Sequence, residues 1–91
     1  MVGKLAVSLA GHDKDTLYLI IKEEGDSIYL VDGVYKKYAA PKKKNRRHIQ
    51  PVSWGITEDQ LRELAQNPAD ADTKIKKYLK TFSERKEGKY V

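Results

Sequence analysis

The 91-residue sequence contains no cysteine. Neither a disulfide framework nor a thiolate metal site can form, and its two histidines do not make a metal centre by themselves. A reducing compartment suits such a chain. Long apolar runs are also missing. The opening stretch "MVGKLAVSLAG" holds one lysine and runs straight into the charged "HDKD". Neither a signal peptide nor a membrane span is therefore expected, and the expected location is the cytoplasm. There are no internal repeats. The apparatus of catalysis is absent too. Asp13, Asp15, Glu23, Glu24 and Asp26 could be acids or magnesium ligands, but no nucleophile with a partnered base and no phosphate-cradling glycine loop accompanies them. Neither an enzyme nor a cofactor is expected. Those carboxylates are expected instead to keep the far face of the fold from adhering to a polyanion.

What the chain does have is positive charge, unevenly placed. The net charge is +5, yet residues 36 to 47 carry seven Lys or Arg and no carboxylate. Residues 1 to 35 are net acidic and residues 48 to 91 nearly balanced. The run "PKKKNRRH", residues 41 to 48, is the densest part. Such a block attracts polyanions, although an idle solvated loop would have the same composition.

Along the chain, Leu5, Val7 and Leu9 alternate with Lys4, Ala6 and Ser8, the period of a half-buried strand. "AGHDKD" reads as a turn, with Gly11 free to take positive φ and Asp13 able to bond its own backbone. "TLYLIIKE" and "SIYLVDG" flank "EGD" and read as a hairpin. Apolar residues on both faces of that hairpin, Leu17, Leu19 and Ile21 against Tyr18 and Ile20, require a second covering layer. Pro41 and the repeated lysines argue against a regular central strand from residue 34 to 47. "HIQPV" offers a short strand with Ile49 inward and Pro51 restricting it to an edge. Four or five short strands in about fifty residues suggest a small barrel of SH3-like dimensions.

The period then changes. Thr57 and Gln60 fit a capping box, and Ile56 with Leu61 a hydrophobic staple, so a helix starts there with Leu61, Leu64 and Ala65 on one side. Asn67-Pro68 ends it. Asp70 or Asp72 can cap a second helix, whose Ile75, Tyr78, Leu79 and Phe82 form an apolar stripe for the barrel. Lys74, Lys76, Lys77 and Lys80 flank the stripe or face water, where they could extend a basic surface or keep the helix soluble, the second being slightly favoured. The tail "SERKEGKYV" should fray. Trp54 is expected to seal the seam between barrel and helix. The fold class expected is mainly β, a small barrel over residues 1 to 55 followed by two short helices over 56 to 91.

Two stretches carry a family resemblance. "VGKLAVSLAGHDKDTLYLII" resembles the KOW module. "VDGVYKKYAAPKKKNRRHIQ" is similar to the segment that follows it in KOW-containing large-subunit ribosomal proteins of archaea and eukaryotes and their small bacterial relatives. The more specific signal is Asp32-Gly33, a basic residue near Lys36, then Pro41-Lys42-Lys43-Lys44-Asn45 and His48-Ile49. The resemblance covers residues 2 to about 52. It implies an SH3-like barrel that binds RNA, with Gly11, His12, Asp13 and Lys14 in a KOW loop beside the nucleic acid. The chain departs from the pattern at Asp15, where a second glycine is usual, and at Ala40, where a basic residue is common.

The candidate RNA-binding residues are Gly11, His12, Lys14, Lys36, Lys37, Lys42, Lys43, Lys44, Asn45, Arg46, Arg47 and His48. Lys and Arg would neutralise phosphates and release counterions. Arg46 and Arg47 carry the strongest expectation, because guanidinium planes grip phosphate bidentately or stack on bases. Tyr35 and Tyr38 could stack on bases, or close the end of the barrel. The His48 imidazole is expected to bond backbone rather than phosphate. The expected partner is structured RNA, ribosomal RNA or the ribosome above all, with no membrane partner and a monomeric chain. A protein-interaction adaptor using the barrel and the helix stripe is the alternative.

Overall fold

Leu5 and Val7 alternate with Ala6 and Ser8 along β1 (Lys4–Ser8). The hairpin expected next is formed by β2 (Leu17–Glu24) and β3 (Ser27–Val31), turned by Gly25 at φ +60° and Asp26. A glycine takes that left-handed geometry without a Cβ clash. β4 (Lys42–Asn45), a 3-10 turn over Arg46–His48, and β5 (Ile49–Gly55) follow, and the chain ends in α1 (Glu58–Gln66) and α2 (Pro68–Arg85). The structure is a computed structural model and describes residues 1 to 85.

The strands make one open antiparallel sheet in the order β4-β3-β2-β1-β5. Its two edge strands are consecutive in sequence. A flat sheet of five strands would hold its edges about 19 Å apart at ~4.8 Å per gap. Three residues of 3-10 helix advance only about 6 Å, so the sheet must curl until the end of β4 meets the start of β5. Backbone bonds extend the two outer ladders into this turn: the Arg46 N–H donates to the Asp26 carbonyl beyond the β3–β4 pairing and the Leu9 N–H to that of His48 beyond the β1–β5 pairing, both at 2.8 Å.

Curling gives the sheet two apolar layers. Ala6, Tyr18, Ile20, Ile28, Leu30 and Ile49 fill the concave side. Leu5, Val7, Leu17, Leu19, Val31 and Val52 point the other way, onto Leu64, Ala71, Ile75 and Phe82 of the helices. This is the second layer the hairpin required. Tyr78 and Leu79 pack at its margin, and Trp54 tilts against Phe82 with ring centroids 5.6 Å apart. Emptying the fully enclosed Phe82 site would cost about 3–5 kcal/mol.

The capping box of α1 forms as expected: the Gln60 N–H donates to Thr57 Oγ1 at 3.1 Å and the Thr57 N–H to Gln60 Oε1 at 2.9 Å. Several expectations are corrected. Helix and strand take similar shares of the described residues, so the chain is a mixed sheet-plus-helix unit rather than mainly β. The second helix is not short but 18 residues long, and it begins at Pro68 instead of after Asp70 or Asp72. Proline suits a first helical turn because no intrahelical partner awaits its missing N–H. Ala65 is exposed, and Leu64 is the buried residue of α1. Leu9 is 46% exposed. Ser83, Glu84 and Arg85, expected to fray, belong to α2, while the rest of that tail, 86 to 91, lies outside the described residues. Among the described residues no helix is long and apolar enough to cross a membrane.

Candidate nucleic-acid interface

The basic run is not a loop. Residues 42 to 45 pair with β3 in the register Leu30↔Lys42, Tyr29↔Lys43, Ile28↔Lys44 and Ser27↔Asn45. Strand alternation therefore divides the lysines. Lys42 and Lys44 share the face of Leu30 and Ile28, whereas Lys43 shares that of Tyr29, which pairs on its other side with Lys22. The Lys22 ammonium stands 5.1 Å from the centroid of the Tyr29 ring, with Glu24 beside both, 3.9 Å from Lys22 Nζ and accepting from the Tyr29 hydroxyl at 3.3 Å. The sequence reading did not single out Lys22.

The inward pair converges on one carboxylate. Asp13 Oδ1 lies 2.8 Å from Lys44 Nζ, and Oδ2 lies 2.9 Å from Lys42 Nζ. Ser8 Oγ and Tyr18 Oη donate to it at 3.0 and 2.7 Å. Its side chain is only 13% exposed. Burial works against the charge, but the bonds from Lys44, Tyr18, Lys42 and Ser8 outweigh it and hold the carboxyl well below the usual carboxylate range. Burial and the bond to Asp13 push the Tyr18 hydroxyl up in turn. Lys44 also donates to the Ala10 carbonyl at 2.8 Å, tying β4 to the β1–β2 loop. That loop turns through Gly11 at φ +89° and Asp15 at φ +73°. Where the KOW pattern has a second glycine, Asp15 thus adopts the left-handed geometry itself, as aspartate does more readily than most residues.

Arg46 is likewise engaged, donating to Glu23 and to the Gly25 carbonyl. The Arg46 guanidinium, together with the N-terminal ammonium 3.1 Å away, holds Glu23 below its ordinary value. Asp13 and Glu23 therefore do not guard a far face; they sit among the cations and pair with three of the strip, Lys42, Lys44 and Arg46. Asn45 has a structural part, its side chain accepting from the Arg47 N–H at 3.0 Å and capping the 3-10 turn. The His48 imidazole makes no hydrogen bond among the described residues, and it is the His48 carbonyl that accepts from backbone. Ala10 and Gly11 on one side, with Lys42 to Asn45 and His48 on the other, line a shallow groove.

Four cations of the strip have no acidic partner among the described residues: Lys43 on β4, Arg47 just after it, and Lys36 and Lys37 in the segment before it. Lys43, Arg47 and Lys37 are exposed, as are His12 and Lys14 in the β1–β2 loop. Lys36 and Lys37 leave a loop pinned from within. Asp32 Oδ1 accepts the N–H groups of Val34, Tyr35 and Lys36 at 2.9, 2.9 and 2.8 Å. The Tyr38 N–H donates to Asp72 Oδ1 on α2 at 2.7 Å, which is the use found for the aspartate expected to cap that helix. Of the two tyrosines, Tyr38 packs against the core and Tyr35 is 85% exposed.

On α2, Lys74 is paired with Glu63. Ile75 and Phe82 of the apolar stripe are buried against the sheet, while Tyr78 and Leu79 at its margin are half-buried. Beside it Trp54, Glu63, Lys74 and Tyr78 border a second groove of about 400 Å³. No protein-family model matches the sequence, and a search of curated proteins found no significant match.

Proposed function

We propose that the chain is a cytoplasmic, monomeric RNA-binding module, an SH3-like barrel of the KOW type carrying a helical extension, and that its partner is structured RNA. Ribosomal RNA is the partner the family resemblance favours. The barrel reading is supported by the curl that joins the two edge strands through a single turn and by the filled concave side. The observation that carries the RNA reading is the set Lys36, Lys37, Lys43 and Arg47. They lie on one edge strand and the two segments flanking it, and none has a carboxylate to satisfy it among the described residues. Lys43 and Arg47, four residues apart, can stand up to about 13 Å from one another at ~3.3 Å per residue, so phosphates several ångströms apart along a backbone can be met together.

In this mechanism the outward cations capture the ribose-phosphate chain and release its counterions, while Lys42, Lys44 and Arg46 keep the strand rigid. Recognition then follows RNA shape, since A-form helices offer side chains little sequence to read in the deep groove. His12, Lys14 and His48 border the approach. The burial of Ile75 and Phe82 against the sheet favours this reading over an adaptor role that would need the whole stripe free.

The test is binding of a folded ribosomal RNA fragment, followed by fluorescence anisotropy over a salt series with duplex DNA as competitor. Four contacts at roughly 0.7 each give a slope of about −3 on logarithmic axes. A flat slope, or tighter binding to the DNA, overturns the proposal.

A further inference from the structure

Tyr35 is the most exposed large apolar residue among those described, at 85%, with Val34 beside it at 48%. An aromatic ring left in water forgoes the stabilisation that burial would bring. The loop around it is well held. Asp32 Oδ1 gathers three successive N–H groups, including that of Tyr35 itself. The Lys36 carbonyl accepts from the N–H groups of Asp32 and Gly33 at 2.9 and 3.1 Å. Gly33, at φ +81°, lies so close to α2 that a Cβ there would fall 2.5 Å from the Asp72 carbonyl oxygen. Tyr38 fastens the far side through Asp72 and the core. Between these anchors the fold itself presents the ring to solvent.

The chemistry around the ring narrows what can cover it. Lys36 and Lys37 follow directly, and the two carboxylates at this loop, Asp32 and Asp72, are engaged by main-chain N–H groups rather than by those ammonium groups. A partner that is flat, aromatic and attached to anions fits a tyrosine beside unpaired ammonium groups. Resting on the RNA reading above, we infer that Tyr35 is a stacking platform for an unpaired base, so that the preferred RNA carries a bulged or looped-out nucleotide beside the phosphates held by β4. Bases inside a duplex stack on one another and offer no free face; an extruded one does. A tyrosine fixed by its backbone loses little freedom on stacking.

The experiment compares a blunt RNA duplex with the same duplex carrying a single-stranded bulge, each titrated with wild-type protein, Tyr35→Ala and Tyr35→Phe. Wild type and Tyr35→Phe should bind the bulged RNA about 10-fold more tightly than the blunt one. Tyr35→Ala should lose that preference while keeping its affinity for the blunt duplex and its salt slope. Because Tyr35 is exposed, thermal melting should be alike for all three. If Tyr35→Ala retains the preference, or weakens both RNAs equally, the stacking platform is refuted and RNA binding by the lysines stands. If wild type shows no salt-dependent affinity for either RNA, the RNA reading fails and this inference with it.

Discussion

Lys42 and Lys43 are neighbours of identical chemistry with different duties. Lys42, with Lys44, turns inward to the Asp13 carboxylate; Lys43 turns outward with no partner among the described residues. Arg46 and Arg47 repeat the division one turn later, the first bound to Glu23 and the Gly25 carbonyl, the second exposed. A count of charges in this strip thus overstates what a partner meets. One set of cations is part of the fold, and the other is surplus to it.

The sharpest way to break the comparison is Asp13→Asn. It strands two lysines in a site where the carboxylate is 13% exposed, and should lower unfolding stability by about 2–4 kcal/mol, measured by denaturant titration. Acidity should show the same dependence. The folded carboxyl titrates well below its ordinary value of 3.8, so on acidification the unfolded chain takes up the proton first. The stability owed to Asp13 is therefore complete above about pH 5 and drains as pH falls through 4 toward the folded value. The Asn variant should lack that part of the acid slope.

Next in size is the outward set. Changing Lys36, Lys37, Lys43 and Arg47 together to Gln should flatten the RNA salt slope by about 3 while leaving stability within ~0.5 kcal/mol, as surface substitutions usually do. The inward double change, Lys42→Gln with Lys44→Gln, should do the reverse. It should cost about 1–2 kcal/mol of stability and alter the salt slope by less than about 1, read by the same two assays. Glu23→Gln should have the smallest effect. It releases Arg46 to the solvent side, steepening the salt slope by about 0.7 with the melting temperature nearly unchanged. Equal effects of the inward and outward sets on RNA binding would erase the distinction drawn between them.

Local chemistry made much of the fold legible in advance. The alternation through Leu5 and Val7, the hairpin at Gly25, the edge position of Pro51 and the Thr57–Gln60 box each depend on a few adjacent residues, and each could be read from them. The stripe through Ile75 and Phe82 was legible because helical spacing is strict. What stayed hidden depends on distant partners. Four polar residues have poor intrinsic strand propensity, and Lys42 to Asn45 become a strand because β3 offers an edge to pair with. Asp13 could be placed in a turn, but its four donors come from β1, β2 and β4, and no spacing rule links position 13 to 42 and 44. The start of α2 was misplaced for a similar reason: Asp72 looks like a helix cap until the Tyr38 N–H is brought to it. Of the candidate site, the location of the positive charge was legible, and its division into engaged and free halves was not.

Asp32 secures the segment after β3 by gripping main-chain amides, so these bonds hold its path whatever side chains stand at 34 to 36. The tip can accordingly be rewritten without renegotiating the core, provided Asp32 and Gly33 stay. That makes it a natural place to graft or diversify side chains on an unchanged scaffold.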